Sequence, residues 1–225
     1  WHPQSKTHGG RIEITHWIGD PSTTGQIRVH QRWLGPDGKQ MARDETTLAF
    51  GADKDTRWID WTVRVIASNG PLRFGDTKEG MFGIRMRNEI RESQGGKVVN
   101  AQGVQGSGGC WGRVSDWIDY HGEVDGKVVG MALFDHPLNF RRSRYHVRNY
   151  GLFTISPFGE RAYTRASRPA QPLILLPGKS FRLRYGLYVH SGDTATAKVA
   201  ATYIDYLKAS GDTWPASAAP PAADE

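Results

Sequence analysis

At 225 residues the chain is long enough for one domain, including one large all-β domain. Apolar residues make up 38% and charged residues 23%, which supports a true core and excludes a chain disordered throughout. The formal charge is +6, yet no long Lys/Arg run, zinc-finger spacing, RNA-binding aromatic signature or helix-turn-helix pattern accompanies it, so no nucleic-acid partner is expected.

Period-two alternation sets in early. Ile12, Ile14 and His16 alternate with Arg11, Glu13 and Thr15, and Ile27, Val29 and Trp33 stand opposite Arg28, His30 and Arg32. Ile59, Trp61, Val63 and Val65 face away from Asp60, Thr62 and Arg64 in the same manner. Thr77-Lys78-Glu79-Gly80 then leads into a strand expected over residues 81–86. The glycine-rich run 103–109 lacks a following Gly-Lys-Ser/Thr and is not a phosphate loop.

Further along, the apolar run from Val128 to Phe134 reads as a strand stopped by Asp135-His136-Pro137, because proline cannot donate to a ladder. Residues 145–152 read as another strand, with His146, Arg148 and Tyr150 on one face. In residues 181–190, Phe181, Leu183, Tyr185, Leu187 and Val189 oppose Arg182, Arg184, Gly186, Tyr188 and His190, as in a strand with one wet face. A helix is expected from Asp193 to Ser210, capped by Asp193 or Thr194, with Ala197, Ala200, Ala201, Ile204 and Leu207 at helical spacing. The Pro/Ala-rich acidic segment 211–225 reads as a disordered tail.

Turn signals about every ten residues make this an all-β antiparallel β-sandwich over residues 1–210, with one short C-terminal helix. Cys110 is the sole cysteine, so no intrachain disulfide is available. No apolar run approaches the ~20 residues of a membrane helix, and no membrane span is expected. The chain opens on Trp1 without an initiator Met, as a processed or partial sequence would.

The densest polar block is residues 134–159, FDHPLNFRRSRYHVRNYGLFTISPFG. Asp135 and His136 at a strand mouth are candidate acid/base groups or ligands. His146 and Arg148 would lie ~6.6 Å apart along one strand, close enough to touch one small ligand. Glu79 is a further candidate acid or base at a strand start. It shares parity with Arg85 but would lie ~20 Å from it on a straight strand. Trp111 and Trp117 could stack on a sugar ring. His2, His8, His16 and His30 have no diagnostic metal spacing. There is also no Gly-x-Ser-x-Gly elbow or His-Glu-x-x-His helix. No metal site and no cofactor are expected.

These motifs occur in an order that resembles a bacterial family of unassigned function labelled "methane oxygenase PmoA". The resemblance rests on Gly75-Asp76-Thr77-Lys78-Glu79-Gly80 with Gly83 and Arg85, then Trp111-Gly112 and Trp117. It continues through Phe134-Asp135-His136-Pro137, Asn139, Arg141, His146-Val147-Arg148, Tyr150-Gly151-Leu152 and Pro157-Phe158-Gly159. Leu176-Pro177-Gly178, Arg184-Tyr185 and His190-Ser191-Gly192-Asp193 close it. The family's upstream Asp-His-Pro-His-rich motif is missing. A membrane-embedded oxygenase subunit needs several spanning helices, so the label's activity is not expected. The Leu-Leu-Pro-Gly-Lys segment is similar to the closing strands of galactose-mutarotase-like supersandwiches. The family is similar to proteins found with carbohydrate-degrading genes.

Residues and resemblance together lead to a carbohydrate-active enzyme acting on a sugar or glycoside, of hydrolase, lyase or epimerase type. Glu79, Asp135, His136 and His146 are the acid/base candidates. Lys78, Arg85, Trp111, Trp117, Asn139, Arg141, Arg148 and Tyr150 are the substrate-binding candidates. Alternatives are a non-catalytic carbohydrate-binding module and a metal-dependent enzyme using His and carboxylate ligands. A sugar or glycan is the expected partner, and a periplasmic or secreted location the expected setting.

Overall fold

The computed structural model describes residues 9–209. The chain runs through β1 (Arg11–Ile18), β2 (Gln26–Leu34), β3 (Gln40–Ala52), β4 (Thr56–Ala67), β5 (Leu72–Phe74) and β6 (Phe82–Arg85). It continues with β7 (Lys97–Asn100), β8 (Trp117–Val124), β9 (Lys127–Asp135), β10 (Arg144–Val147) and β11 (Leu152–Ser156), then β12 (Leu173–Leu175) and β13 (Ser180–Ser191). One-turn helices α1 (Pro21–Thr24), α2 (Ser107–Cys110) and α3 (Glu160–Tyr163) precede α4 (Val199–Lys208).

The strands form an eight-stranded sheet in the order β1-β2-β3-β4-β13-β9-β8-β7, a three-stranded sheet β10-β11-β6 and a pair β12-β5. The expected all-β, sandwich-like architecture with a short C-terminal helix is what the chain adopts. Val65, Leu183, Tyr185, Ile118 and Leu133 from the large sheet meet Tyr145, Val147, Phe153 and Ile155 from the small one in a single buried cluster. Each such side chain contributes roughly 1.5–3 kcal/mol by leaving water. Two buried hydrogen bonds tie this core together: the Tyr145 hydroxyl donates to the Leu133 carbonyl at 2.9 Å, and the Ser143 and Tyr185 hydroxyls pair at 2.8 Å.

The other face of the large sheet departs from expectation. It carries a second core, in which α4 packs Val199, Tyr203 and Tyr206 over Trp117, Ala132, Phe134 and Tyr188. Arg184, Tyr188 and His190, expected on a wet face of β13, are therefore buried. Gly186 permits this closure, because a Cβ there would lie 3.0 Å from the Tyr206 ring and 3.2 Å from that of Phe134.

The helix itself is shorter than expected, and it buries Val199, Tyr203 and Tyr206 rather than a face containing the exposed Ile204. Asp193 is not its cap; the carboxylate instead accepts from the Thr196 N–H at 2.8 Å, and Lys198 occupies the cap with a φ of 52°. At the sheet edge, the β1–β2 pairing steps from Ile14↔Gln31 to His16↔His30, so one extra residue reverses the alternation and puts His16 on the face opposite Ile14. The strand expected over 145–152 ends at Val147; the chain turns through Gly151, at a φ of 84°, and returns as β11. His2, His8 and the expected tail lie outside the described residues.

Candidate functional site

Six of the candidate residues line one cavity of about 590 Å³: Lys78, Glu79, Arg85, His146, Arg148 and Tyr150. Its floor is the outer face of the three-stranded sheet. Phe153, Ile155, Val147 and Tyr145 point into the core, so strand alternation turns Leu152, Thr154 and His146 outward. Register then places Arg85 opposite Leu152, and His146 opposite Thr154. The turn after β10 brings Tyr150 beneath Arg85, whose guanidinium carbon lies 5.5 Å from the ring centroid.

Glu79 reaches this floor because its loop bends back over the sheet, which removes the ~20 Å separation of a straight strand. Four contacts strap the loop down. The Asp76 carboxylate accepts from the Arg161 and Ala162 N–H groups of α3, each at 2.9 Å. The Tyr163 hydroxyl donates to the Lys78 carbonyl at 2.8 Å, and His146 Nδ1 meets the same carbonyl at 3.2 Å. Gly159 has a φ of 95°, and a Cβ there would sit 2.3 Å from the Thr77 carbonyl oxygen, so the Pro157-Phe158-Gly159 turn needs its glycine. Replacing Asp76 with Ala should cost about 1 kcal/mol, as loss of a helix cap does, and raise amide exchange across residues 76–80. Unchanged exchange there would show that the other straps suffice.

The ring of His146 is committed at both nitrogens. Nδ1–H donates to the Lys78 carbonyl, and Nε2 accepts from Arg148 Nε at 3.0 Å. Burial first, and the Arg148 charge with it, depress the His146 pKa, so the imidazole is neutral at neutral pH. His146 thus orients Arg148 rather than standing as a free acid. Arg148 also lies 5.4 Å from the Trp111 ring centroid, with Arg165 at 6.0 Å from the same ring. Two guanidinium groups thus stand over the Trp111 ring. Lys78 Nζ donates to Glu79 Oε1 at 2.8 Å, and this bond chiefly holds the Glu79 carboxyl below its usual range. The cavity thus presents an ionised carboxylate among three cations.

A family model described as a family of unknown function (DUF6807) matches residues 1–204. The chain belongs to DUF6807. The family's description is one of unknown function and carries no methane-oxygenase label. No curated protein matches the chain. No helix of this DUF6807 protein, among the described residues, is long and apolar enough to cross a membrane.

The remaining candidates lie elsewhere and hold the fold. Asp135 is fully buried, bonded to Asn139 Nδ2 at 2.9 Å, Arg142 Nε at 2.9 Å and the Ser143 N–H at 3.0 Å. Asn139 also clamps β13, accepting from the Arg184 N–H at 2.7 Å and donating to its carbonyl at 3.1 Å. Arg141 donates to the Gln171 carbonyl at 2.7 Å. Trp117 is buried beneath α4, where it cannot stack on a sugar.

His136 lines a separate hollow of about 340 Å³ with Leu138, Arg182 and Arg184. Burial, then the charges of Arg184 and Arg182, push its pKa down from 6.5 to about 4. Between those values the unfolded chain takes a proton that the folded chain refuses. Stability should therefore fall as pH drops from 6.5 towards 4, with about 3 kcal/mol of that loss due to His136. His136→Gln should flatten this part of a plot of urea midpoint against pH; an unaltered slope would assign the loss to other groups.

One polar cluster was not among the candidates. Asp119, wholly buried, accepts from His121 Nδ1 and His190 Nε2 at 3.0 Å each and from the Thr194 hydroxyl at 2.5 Å. Burial raises its carboxyl, but these bonds outweigh burial and hold it well below the usual range. The period-two pattern placed His190 on the same face as Arg184, and that shared parity was the available signal. Among the described residues no group of three or more His, Cys, Asp or Glu is arranged to hold a metal ion.

Proposed function

We propose that this DUF6807 protein is a carbohydrate-active enzyme working on a sugar or glycoside by acid/base chemistry in the Glu79 cavity. The observation that carries the reading is the convergence of an ionised carboxylate and three cations from separate chain segments in one walled hollow. Its volume falls in the range of small-ligand sites, roughly 300–1,000 Å³. Glu79 accepts a proton from the sugar, while Arg85 and Arg148 balance the negative charge that develops. Elimination and epimerisation suit a single base flanked by cations. Two-carboxylate hydrolysis uses a second carboxyl at roughly 5–10 Å, and Glu79 is the carboxylate of the described lining. The stacked antiparallel sheets support a galactose-mutarotase-like supersandwich as the scaffold.

The test is incubation with a panel of neutral and acidic glycans, with products separated by chromatography and identified by mass. A new product from at least one glycan is expected. Calorimetric binding without any product would instead make the protein a non-catalytic carbohydrate-binding module.

A further inference from the structure

Resting on the carbohydrate reading above, we infer that the sugar recognised here is acidic and is one unit of a polyanionic oligosaccharide. The charges of the cavity do not cancel. Lys78 is matched by Glu79, and His146, buried and accepting from Arg148 at Nε2, is neutral. Among the described residues the Arg85 guanidinium makes no ion pair and no hydrogen bond, only its contact with the Tyr150 ring. Among the described residues the Arg148 guanidinium donates through Nε alone, which leaves its two terminal nitrogens for a ligand.

Register sets these two arginines in one row. Arg85 lies opposite Leu152, and the Arg148 N–H donates to the Leu152 carbonyl at 2.9 Å. All three residues therefore form one row across the sheet, with Arg85 and Arg148 about 10 Å apart at their Cα atoms. Two forks facing one hollow suit a carboxylate or a sulfate ester, which an arginine fork grips with two parallel hydrogen bonds. A neutral sugar would leave both charges uncompensated.

The positive character continues next door. Beyond Trp111 lies a second hollow of about 570 Å³, lined by Arg113, Arg144 and Arg165 and by no acidic residue. Arg144 is satisfied by Glu160 at 2.8 and 2.9 Å, but among the described residues Arg165 makes only its contact with Trp111. The indole, a wall of this second hollow, thus carries over it one guanidinium from each hollow, Arg148 and Arg165. A chain with an anionic group on successive sugars would set one charge against each hollow, one unit beneath Glu79 and the next beyond Trp111.

Titration calorimetry decides the matter with trigalacturonate, its fully methyl-esterified form, a sulfated galactan trisaccharide, galacturonate and, as a non-sugar polyanion, citrate. The ester has the same shape as the acid without the charge. At least one acidic trisaccharide should bind about tenfold or more tighter than the ester and weaken as salt rises. Arg85→Gln should remove most of that preference. Arg165→Gln should weaken the trisaccharide and leave galacturonate unchanged. Both side chains are exposed, so both variants should fold. Equal binding of acid and ester would overturn the inference and leave the carbohydrate reading standing. Citrate binding as tightly as either acidic trisaccharide would keep the anion site and sink the carbohydrate reading. Binding of no probe would overturn the inference.

Discussion

Glu79→Gln should lower turnover of a glycan substrate about 10²–10⁴-fold, the usual loss when a positioned base is removed. The fall should appear in kcat rather than KM, because glutamine keeps the size of the side chain and an oxygen for Lys78. Folding should survive. The Glu79 and Lys78 side chains are 55% and 42% exposed, and a pair that exposed contributes only about 0–1 kcal/mol. His146→Gln should differ in kind. The imidazole holds Arg148 through Nε2, so its loss frees the guanidinium and should raise KM first. The pH profile gives a further check. Lys78 holds the Glu79 carboxyl below its usual value of 4.5, so the acid limb should lie below 4.5. Full kcat in Glu79→Gln, with unchanged thermal unfolding, would remove this cavity as the reacting centre.

Much of this site was legible in the sequence because strand parity is a strong constraint. His146 and Arg148 share a face in β10 and its extension for the same reason that Tyr145 and Val147 fill the core. Parity gave no information on bends. Glu79 and Arg85 line one cavity because the loop is strapped by Asp76, Tyr163 and Gly159, and two of those straps come from residues about eighty positions away. Density of polar residues misled in the opposite direction. Asp135, His136, Asn139 and Arg141 stand close to His146 in sequence, yet three of them are consumed by buried or backbone hydrogen bonds and His136 lines another hollow.

The wet face expected of β13 failed for a related reason. Alternation shows that a strand has two faces, but not that a helix will cover the second one. Here α4 does so with tyrosines rather than aliphatic residues. Tyrosine on an amphipathic helix reads as polar surface until its ring is seen packed on Phe134, edge-on with centroids 5.5 Å apart for Tyr203 and tilted at 5.6 Å for Tyr206.

The covered face also sets the largest stability effect. Asp60→Ala should destabilise the domain by about 3–5 kcal/mol, the cost of stranding one partner of a buried ion pair. In the native protein Arg184 Nε donates to Asp60 Oδ1 at 3.1 Å and Oδ2 at 2.9 Å, and Nη2 reaches Oδ2 at 2.5 Å. The side chains are only 9% and 2% exposed, and the guanidinium lies 4.8 Å from the Tyr206 ring. Removing the carboxylate takes from the Arg184 guanidinium, held under α4 beside Tyr206 and the Ala209 carbonyl, the anion that it grips with three short contacts. Asp60→Leu combined with Arg184→Met should recover most of the loss, because neither charge then needs solvation. His136 supplies an independent readout. Arg184 is the second cause, after burial, of its depressed pKa, so Arg184→Met should raise the His136 pKa from about 4. A urea-measured cost below about 1 kcal/mol for Asp60→Ala would mean that the guanidinium swings into the His136 hollow and finds water there. The same result should then depress the His136 pKa further, which separates an escaping charge from a pair that was never important.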